Sequence, residues 1–171
     1  MASVNLSDYK PINIANAEEI SVGIVFSVWN SFATHGMRDG AVGVLTKEGI
    51  LKENIKIFEV PGAFELSYAA MQLCKTGKFD AVIAIGCVIR GETPHFDYVC
   101  SAVAQGIKDC NILTETPAIF CVLTDDTKEQ SIARSGGTLG NKGVEAAATA
   151  LQMVEFRRAV RLKESPIGFG K

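Results

Sequence analysis

The sequence predicts an α/β fold in three layers, an αβα sandwich in which a four-stranded parallel sheet carries helices on both faces. Three observations predict it. The run Ala81–Ile89 (AVIAIGCVI) is too short to cross a membrane and too apolar for a strand with one wet face, so it suits a parallel strand covered on both sides. Ile20–Phe26, Asn54–Val60 and Pro117–Leu123 are further strand-like runs, and helical spacing follows each of the four. The chain has 171 residues, 47% hydrophobic and 21% charged, enough for one core, and no linker or internal repeat divides it. A single domain over 1–171 is expected, with an N-terminal arm over 1–19, the core over 20–162 and a frayed tail over 163–171. The crossovers should be right-handed.

Taken in order, residues 1–19 lack periodicity, and Pro11 with several Asn and Ser residues makes them an irregular arm, either disordered or laid on a neighbouring subunit. The β-branched run Ile20–Phe26 opens the core. Asn30 or Ser31 caps the helix that follows, which runs to about Glu48 and stops at Gly49. Its small-residue stripe includes Ala33, Gly36, Gly40 and Ala41; the internal glycines weaken the helix alone, so a closely packed neighbour is expected. Asn54–Val60 alternates as a strand and ends at Pro61–Gly62. Ala63, Phe64 and Glu65 open a helix closed by Gly77. After Ala81–Ile89, Arg90 to Thr93 break the apolar run; Thr93 suits an N-cap and Pro94 the first helical position. Pro117–Leu123 precedes a short helical pattern from Lys128 to Arg134. The glycines of SGGTLG (135–140) suggest a phosphate cradle, but the spacing is wrong and no strand leads into it, so it reads as a flexible kink between helices. Asn141 caps a last helix to about Leu162.

The formal charge of −2 argues against a nucleic-acid or membrane surface. The N-terminus lacks the basic start and apolar core of a signal peptide, which makes the cytoplasm the expected location. The five cysteines form no CxxC pair and lie in apolar runs, as reduced buried thiols do.

Turns after the first three strands converge on one sheet edge, where open α/β sheets bind ligands. His95 falls in the first turn of a helix just past a strand end. Free amides and the helix dipole favour an anion there and disfavour an imidazolium. A neutral imidazole beside an anion can shuttle protons; a surface histidine at a helix start is the plainer alternative. Trp29 is either a packing residue or a flat platform for a planar ring. Glu65 either complements a helix dipole or contacts a ligand. Arg134 is either solvated or an anion partner. Cys87 reads as core rather than nucleophile, because apolar burial raises a thiol pKa. His35, mid-helix among small residues, reads as packing or surface. Together these residues suit something flat, hydroxylated and phosphorylated.

Six segments, VWNSF (28–32), VPGAFEL (60–66), GCVIRGETPHFDYVC (86–100), PAIFCVLTDD (117–126), EQSIARSG (129–136) and GNKGVEAA (140–147), resemble the 6,7-dimethyl-8-ribityllumazine synthase family in order and spacing. The resemblance implies a flavodoxin-like core and the condensation of 5-amino-6-(D-ribitylamino)uracil with 3,4-dihydroxy-2-butanone 4-phosphate to the lumazine, the penultimate step of riboflavin biosynthesis. It implies no metal or organic cofactor. His95 matches the family's proton-transfer histidine. Glu92 and Thr93 match the turn that binds the butanone phosphate, and Arg134 the arginine that pairs with it. Trp29 matches the aromatic position stacked on the pyrimidine. Ala63, Phe64 and Glu65 match the segment contacting pyrimidine and ribityl chain, and Cys87, Val88 and Ile89 the backbone contacts to the pyrimidine edge. Phe120 matches a residue of the adjacent subunit that closes the site. The family's sites lie between subunits of a pentamer, and its assemblies include decamers and hollow sixty-subunit shells, with which the short break after Arg134 is compatible. Val28 stands where arginine is frequent, Trp29 where phenylalanine is commoner, Pro94 where threonine is frequent, and Thr138 where lysine or histidine is common.

Two other classes compete. A flavodoxin-like binder holding flavin or lumazine without turnover would need a glycine- and hydroxyl-rich loop after the first strand, and 27–31 (SVWNS) lacks glycine. A shell protein with a vestigial site would be expected to have lost His95 or Arg134, and both are present.

Overall fold

A computed structural model describes residues 7–162. Four strands form the sheet: β1 (Val22–Ser27), β2 (Ile55–Val60), β3 (Ala81–Ile89) and β4 (Ala118–Asp125). All pair in parallel, in the order β2-β1-β3-β4. This is the expected four-stranded flavodoxin-like sheet. The chain reverses its direction of travel across the sheet between β1 and β3, so a crevice opens beyond the carboxyl ends of those two strands.

The helices are α1 (Ser31–Lys47), α2 (Leu66–Lys75), α3 (His95–Leu113), α4 (Lys128–Arg134) and α5 (Lys142–Leu162). One face of the sheet, with Ile24, Phe26, Ile83 and Ile85, packs against Met37, Ala41 and Leu45 of α1 and Ala147 and Leu151 of α5. The other face, with Val25, Val82, Ala84 and Val122, packs against Leu66 and Ala70 of α2 and Val103 and Ile107 of α3. Side-chain alternation along each strand produces the split. Every residue of β1 is buried, whereas Lys56 to Glu59 of the edge strand β2 are exposed.

The small-residue stripe of α1 meets its expected neighbour. A Cβ added to Gly36 would lie 2.4 Å from the Ser135 carbonyl oxygen, and one on Gly40 2.6 Å from the Asn141 side chain. Gly43 faces open space. From the opposite helix, a Cβ on Gly143 would lie 1.8 Å from the Met37 carbonyl oxygen. Gly49 and Gly77 stop their helices with φ of 95° and 64°, a backbone state that glycine adopts without steric cost.

Several expectations are corrected. The segment 135–140 is no kink: Ser135–Gly137 (β5) and Gly140–Asn141 (β6) form a small antiparallel hairpin. From residue 7 the arm lies on its own subunit. Glu48 accepts hydrogen bonds from the Tyr9 hydroxyl (3.0 Å) and the Ile12 amide (3.0 Å), and Ile14 is buried. Residues 1–6 and the tail 163–171 lie outside the described residues. Asn30 precedes α1 but does not cap it with its side chain. Thr93 is not the cap of α3; Pro94 holds that position, one residue later than expected, and its carbonyl accepts from the Asp97 amide. Asn141 does cap α5, its Oδ1 accepting from the Gly143 amide at 2.8 Å. Among the described residues, no helix is long and apolar enough to cross a membrane.

Candidate active site

The crevice is assembled from three turns. After β1, the Val28 amide donates to the Val60 carbonyl (2.9 Å) and the Trp29 amide to the Pro61 carbonyl (3.0 Å), so the first turn is stitched to the end of β2. Asn30 then takes a left-handed conformation, φ 58°, which asparagine tolerates better than most residues. That conformation turns its side chain toward the sheet, where Nδ2 donates to the Cys87 carbonyl at 2.9 Å. One side chain thus bridges β1 and β3 across the switch point.

Trp29 is 65% exposed and rests against Gly62, at which an added Cβ would lie 2.5 Å from the indole. A flat, accessible indole is what an aromatic platform requires. The Gly62 amide donates to Glu65 Oε2 at 3.0 Å, so the carboxylate closes the turn before α2. Ala63 is buried beneath it, and Phe64 is exposed.

The third turn leaves β3 at Cys87, Val88 and Ile89, the first buried and the others half-buried. Cys87 is a core thiol: burial pushes it above its ordinary range, and Sγ donates to Ser131 Oγ at 3.3 Å. Arg90 fixes the exit of the turn. Its amide donates to the Asp125 carbonyl (3.0 Å), its guanidinium pairs with Asp126 (2.8 Å) and Asp97 (3.3 Å), and it stacks 4.1 Å from the centre of the Phe96 ring. Glu92, Thr93 and His95 follow, all exposed, with His95 the first residue of α3. Amides at a helix start present partial positive charge to an anion.

Phe120 and Arg134 stand elsewhere. They line a groove of about 790 Å³ along the β4 edge, with Asp125, Gln130, Lys142 and Glu145, in which neither Trp29 nor His95 takes part. Arg134 donates from Nη1 to the Gln130 carbonyl at 3.0 Å and lies 3.7 Å from Asp125 Oδ1. One chain therefore holds the expected site residues in two separate groups: Trp29, Glu65, Cys87–Ile89 and His95 around the strand ends, and Phe120 with Arg134 on the groove.

Sequence reasoning read Asn30 only as a candidate cap and Arg90 only as a break in the apolar run, and it singled out neither Asp125 nor Ser131. The exposed His35 stays outside the site, its ring set edge-on to Phe26 at 5.6 Å.

Fold and crevice define a class, an α/β protein with a small-molecule site at the strand ends. The comparisons with known proteins narrow it. The model of the 6,7-dimethyl-8-ribityllumazine synthase family matches residues 19–158. Relatives carrying that same name include one from Flavobacterium psychrophilum, 52% identical over 94% of this chain and 85% of its own. Another, from Parabacteroides distasonis, is 50% identical over 89% of this chain and 95% of its own. A third, from Porphyromonas gingivalis, is 46% identical over 90% and 96%. The chain belongs to the 6,7-dimethyl-8-ribityllumazine synthase family.

Proposed function

We propose that this chain condenses 5-amino-6-(D-ribitylamino)uracil with 3,4-dihydroxy-2-butanone 4-phosphate to 6,7-dimethyl-8-ribityllumazine, releasing phosphate and water, in the cytoplasm. The observation that carries the reading is the crevice itself, where an accessible indole, the backbone of Cys87–Ile89 and His95 at a helix start share one sheet edge.

The aryl amine attacks the ketone, a Schiff base forms, phosphate leaves, and the ribityl-bearing nitrogen closes the ring. Trp29 stacks on the pyrimidine, whose edge pairs with the backbone of Cys87, Val88 and Ile89. Ala63, Phe64 and Glu65 bound the pyrimidine and the ribityl chain. Glu92 and Thr93 bring the start of α3 to the butanone phosphate. His95 carries protons between the reacting nitrogen and oxygen atoms. Holding two substrates in one orientation removes much of the entropic barrier.

The separation of the two groups supports a shared site. Phe120 and Arg134 serve the crevice of a neighbouring subunit, Phe120 closing it and Arg134 pairing with the phosphate. The assembly is a homopentamer, alone or built into a decamer or a sixty-subunit shell.

A steady-state assay following lumazine absorbance and phosphate release against a protein-free blank tests the reaction. Equal release of both products above the blank supports it, and a rate equal to the blank sinks it. Mixed subunits test the sharing. His95→Ala and Arg134→Ala chains, each impaired alone, should regain activity when reassembled together, because some crevices then combine an intact His95 with an intact Arg134. Activity no higher than the mean of the two parents would sink the shared site.

A further inference from the structure

We propose that Asp125, locked by the Ser131 hydroxyl, is the positioning residue that aims the Arg134 guanidinium; this rests on the reading of Arg134 as the phosphate partner. Asp125 is the last residue of β4 and is 7% exposed. A carboxylate so covered is costly unless paired and hydrogen-bonded. Its two oxygens have separate tasks. Oδ2 accepts from Ser131 Oγ at 2.8 Å, and Oδ1 faces Arg134 Nη1 at 3.7 Å. Ser131 is fully buried, stands three residues before Arg134 on α4, and accepts from the Cys87 thiol at 3.3 Å.

The arginine needs such an anchor. It ends a helix of 7 residues, and a free arginine side chain samples many rotamers. The Thr127–Gln130 capping box fixes the backbone of α4 but not the guanidinium. Asp125 belongs to the sheet, so its pairing lends the sheet's rigidity to the arginine. Both contacts of Arg134, to Gln130 and to Asp125, fall on Nη1. The Nε–Nη2 edge has no partner among the described residues, and that edge can grip two oxygens of a phosphate at once. Asp125 also pairs in register with Ile89, and its carbonyl accepts from the Arg90 amide at 3.0 Å. The anchor is therefore built onto the strand that leads to His95.

The test uses the assembled full-length enzyme with Asp125→Asn, Ser131→Ala, Arg134→Ala and the Asp125→Asn/Arg134→Ala double variant. Asp125→Asn should raise the half-saturating butanone phosphate concentration about threefold to tenfold, the loss of one charge-assisted contact, with turnover and the half-saturating pyrimidine concentration little changed. Ser131→Ala should shift the same quantity in the same direction by less, and it carries the test if Asp125→Asn assembles poorly. In the Arg134→Ala background Asp125→Asn should add nothing; independent multiplication of the two effects would overturn the positioning role. A crystal structure of Asp125→Asn separates this role from the reading of Arg134. A guanidinium that keeps its place overturns the positioning. One that leaves the Gln130 carbonyl, with half-saturation unchanged in both Asp125→Asn and Arg134→Ala, supports the positioning and overturns the phosphate reading.

Discussion

His95 is exposed at a helix start, where the proposed function gives it a chemical rather than a structural role. His95→Ala should slow turnover at least about tenfold, since positioned proton transfer contributes roughly 100-fold or more and uncatalysed condensation sets a floor. Titrated binding of a ribityl-pyrimidine should stay close to the parent; unchanged turnover would contradict the role. Gly62 is the second residue with a sharp expectation. A methyl there would lie 2.5 Å from the indole of Trp29, so Gly62→Ala must push the platform aside. The half-saturating pyrimidine concentration should rise several-fold with that for the butanone phosphate unmoved, and indole fluorescence should report the displacement. His95 and Trp29 were legible because a strand end followed by a helix start is a pattern of local sequence. Asn30 was not. An asparagine before a helix signals both a cap and tolerance of positive φ, and only the arrival of β3 beside β1 shows that its amide reaches Cys87.

At the scale of elements, the tightest glycine position among the described residues lies between α1 and α5. The Cβ of Gly143→Ala would lie 1.8 Å from the Met37 carbonyl oxygen, and backbone cannot yield as a flexible side chain does. Overpacking of this kind costs about 1–3 kcal/mol or more, read as a lower denaturant midpoint, whereas Gly43→Ala, facing open space, should be neutral or slightly stabilising. The four strands of the main sheet were legible because apolar runs and alternation survive in one dimension. The β5–β6 hairpin was not, because SGG and GN offer no side-chain period to read, and a ladder built on glycine is defined by its backbone alone. The packing of the arm on its own chain was not legible for a related reason. Its hold on Glu48 uses the Ile12 and Asn13 amides, which composition does not reveal.

For the molecule as a whole, two buried thiols, Cys87 and Cys121, weaken the fold as pH turns alkaline. Burial pushes Cys121 from 9.0 up to about 12 and moves Cys87 the same way. Burial and Glu48 also raise the Tyr9 hydroxyl from 10.0. Because the folded values lie above the unfolded ones, the unfolded chain releases protons first as pH rises. Their contribution is whole below about pH 9 and is lost as pH climbs toward 12. The denaturant midpoint should hold between pH 7 and 8 and fall above about 9, and Cys121→Ala should flatten part of that fall; a midpoint rising with pH in this window would contradict the assignment. That Phe120 and Arg134 lie apart from Trp29 and His95 was not legible from residues alone. Local patterns place side chains on elements, but the separation of Arg134 from His95 depends on β4 lying at the edge of the sheet.

The pairing of α1 with α5 also bears on how the polypeptide emerges from the ribosome. Synthesis runs from the N-terminus at roughly 5–20 residues per second, so Met37, Ala41 and Leu45 are made long before Ala147 and Leu151, their partners across the fold. Until those arrive, the apolar layer that α1 shares with the sheet is only partly covered. Chains stalled at Gly140 should therefore be held by chaperones or aggregate, whereas chains released at full length should become protease-resistant within one folding event.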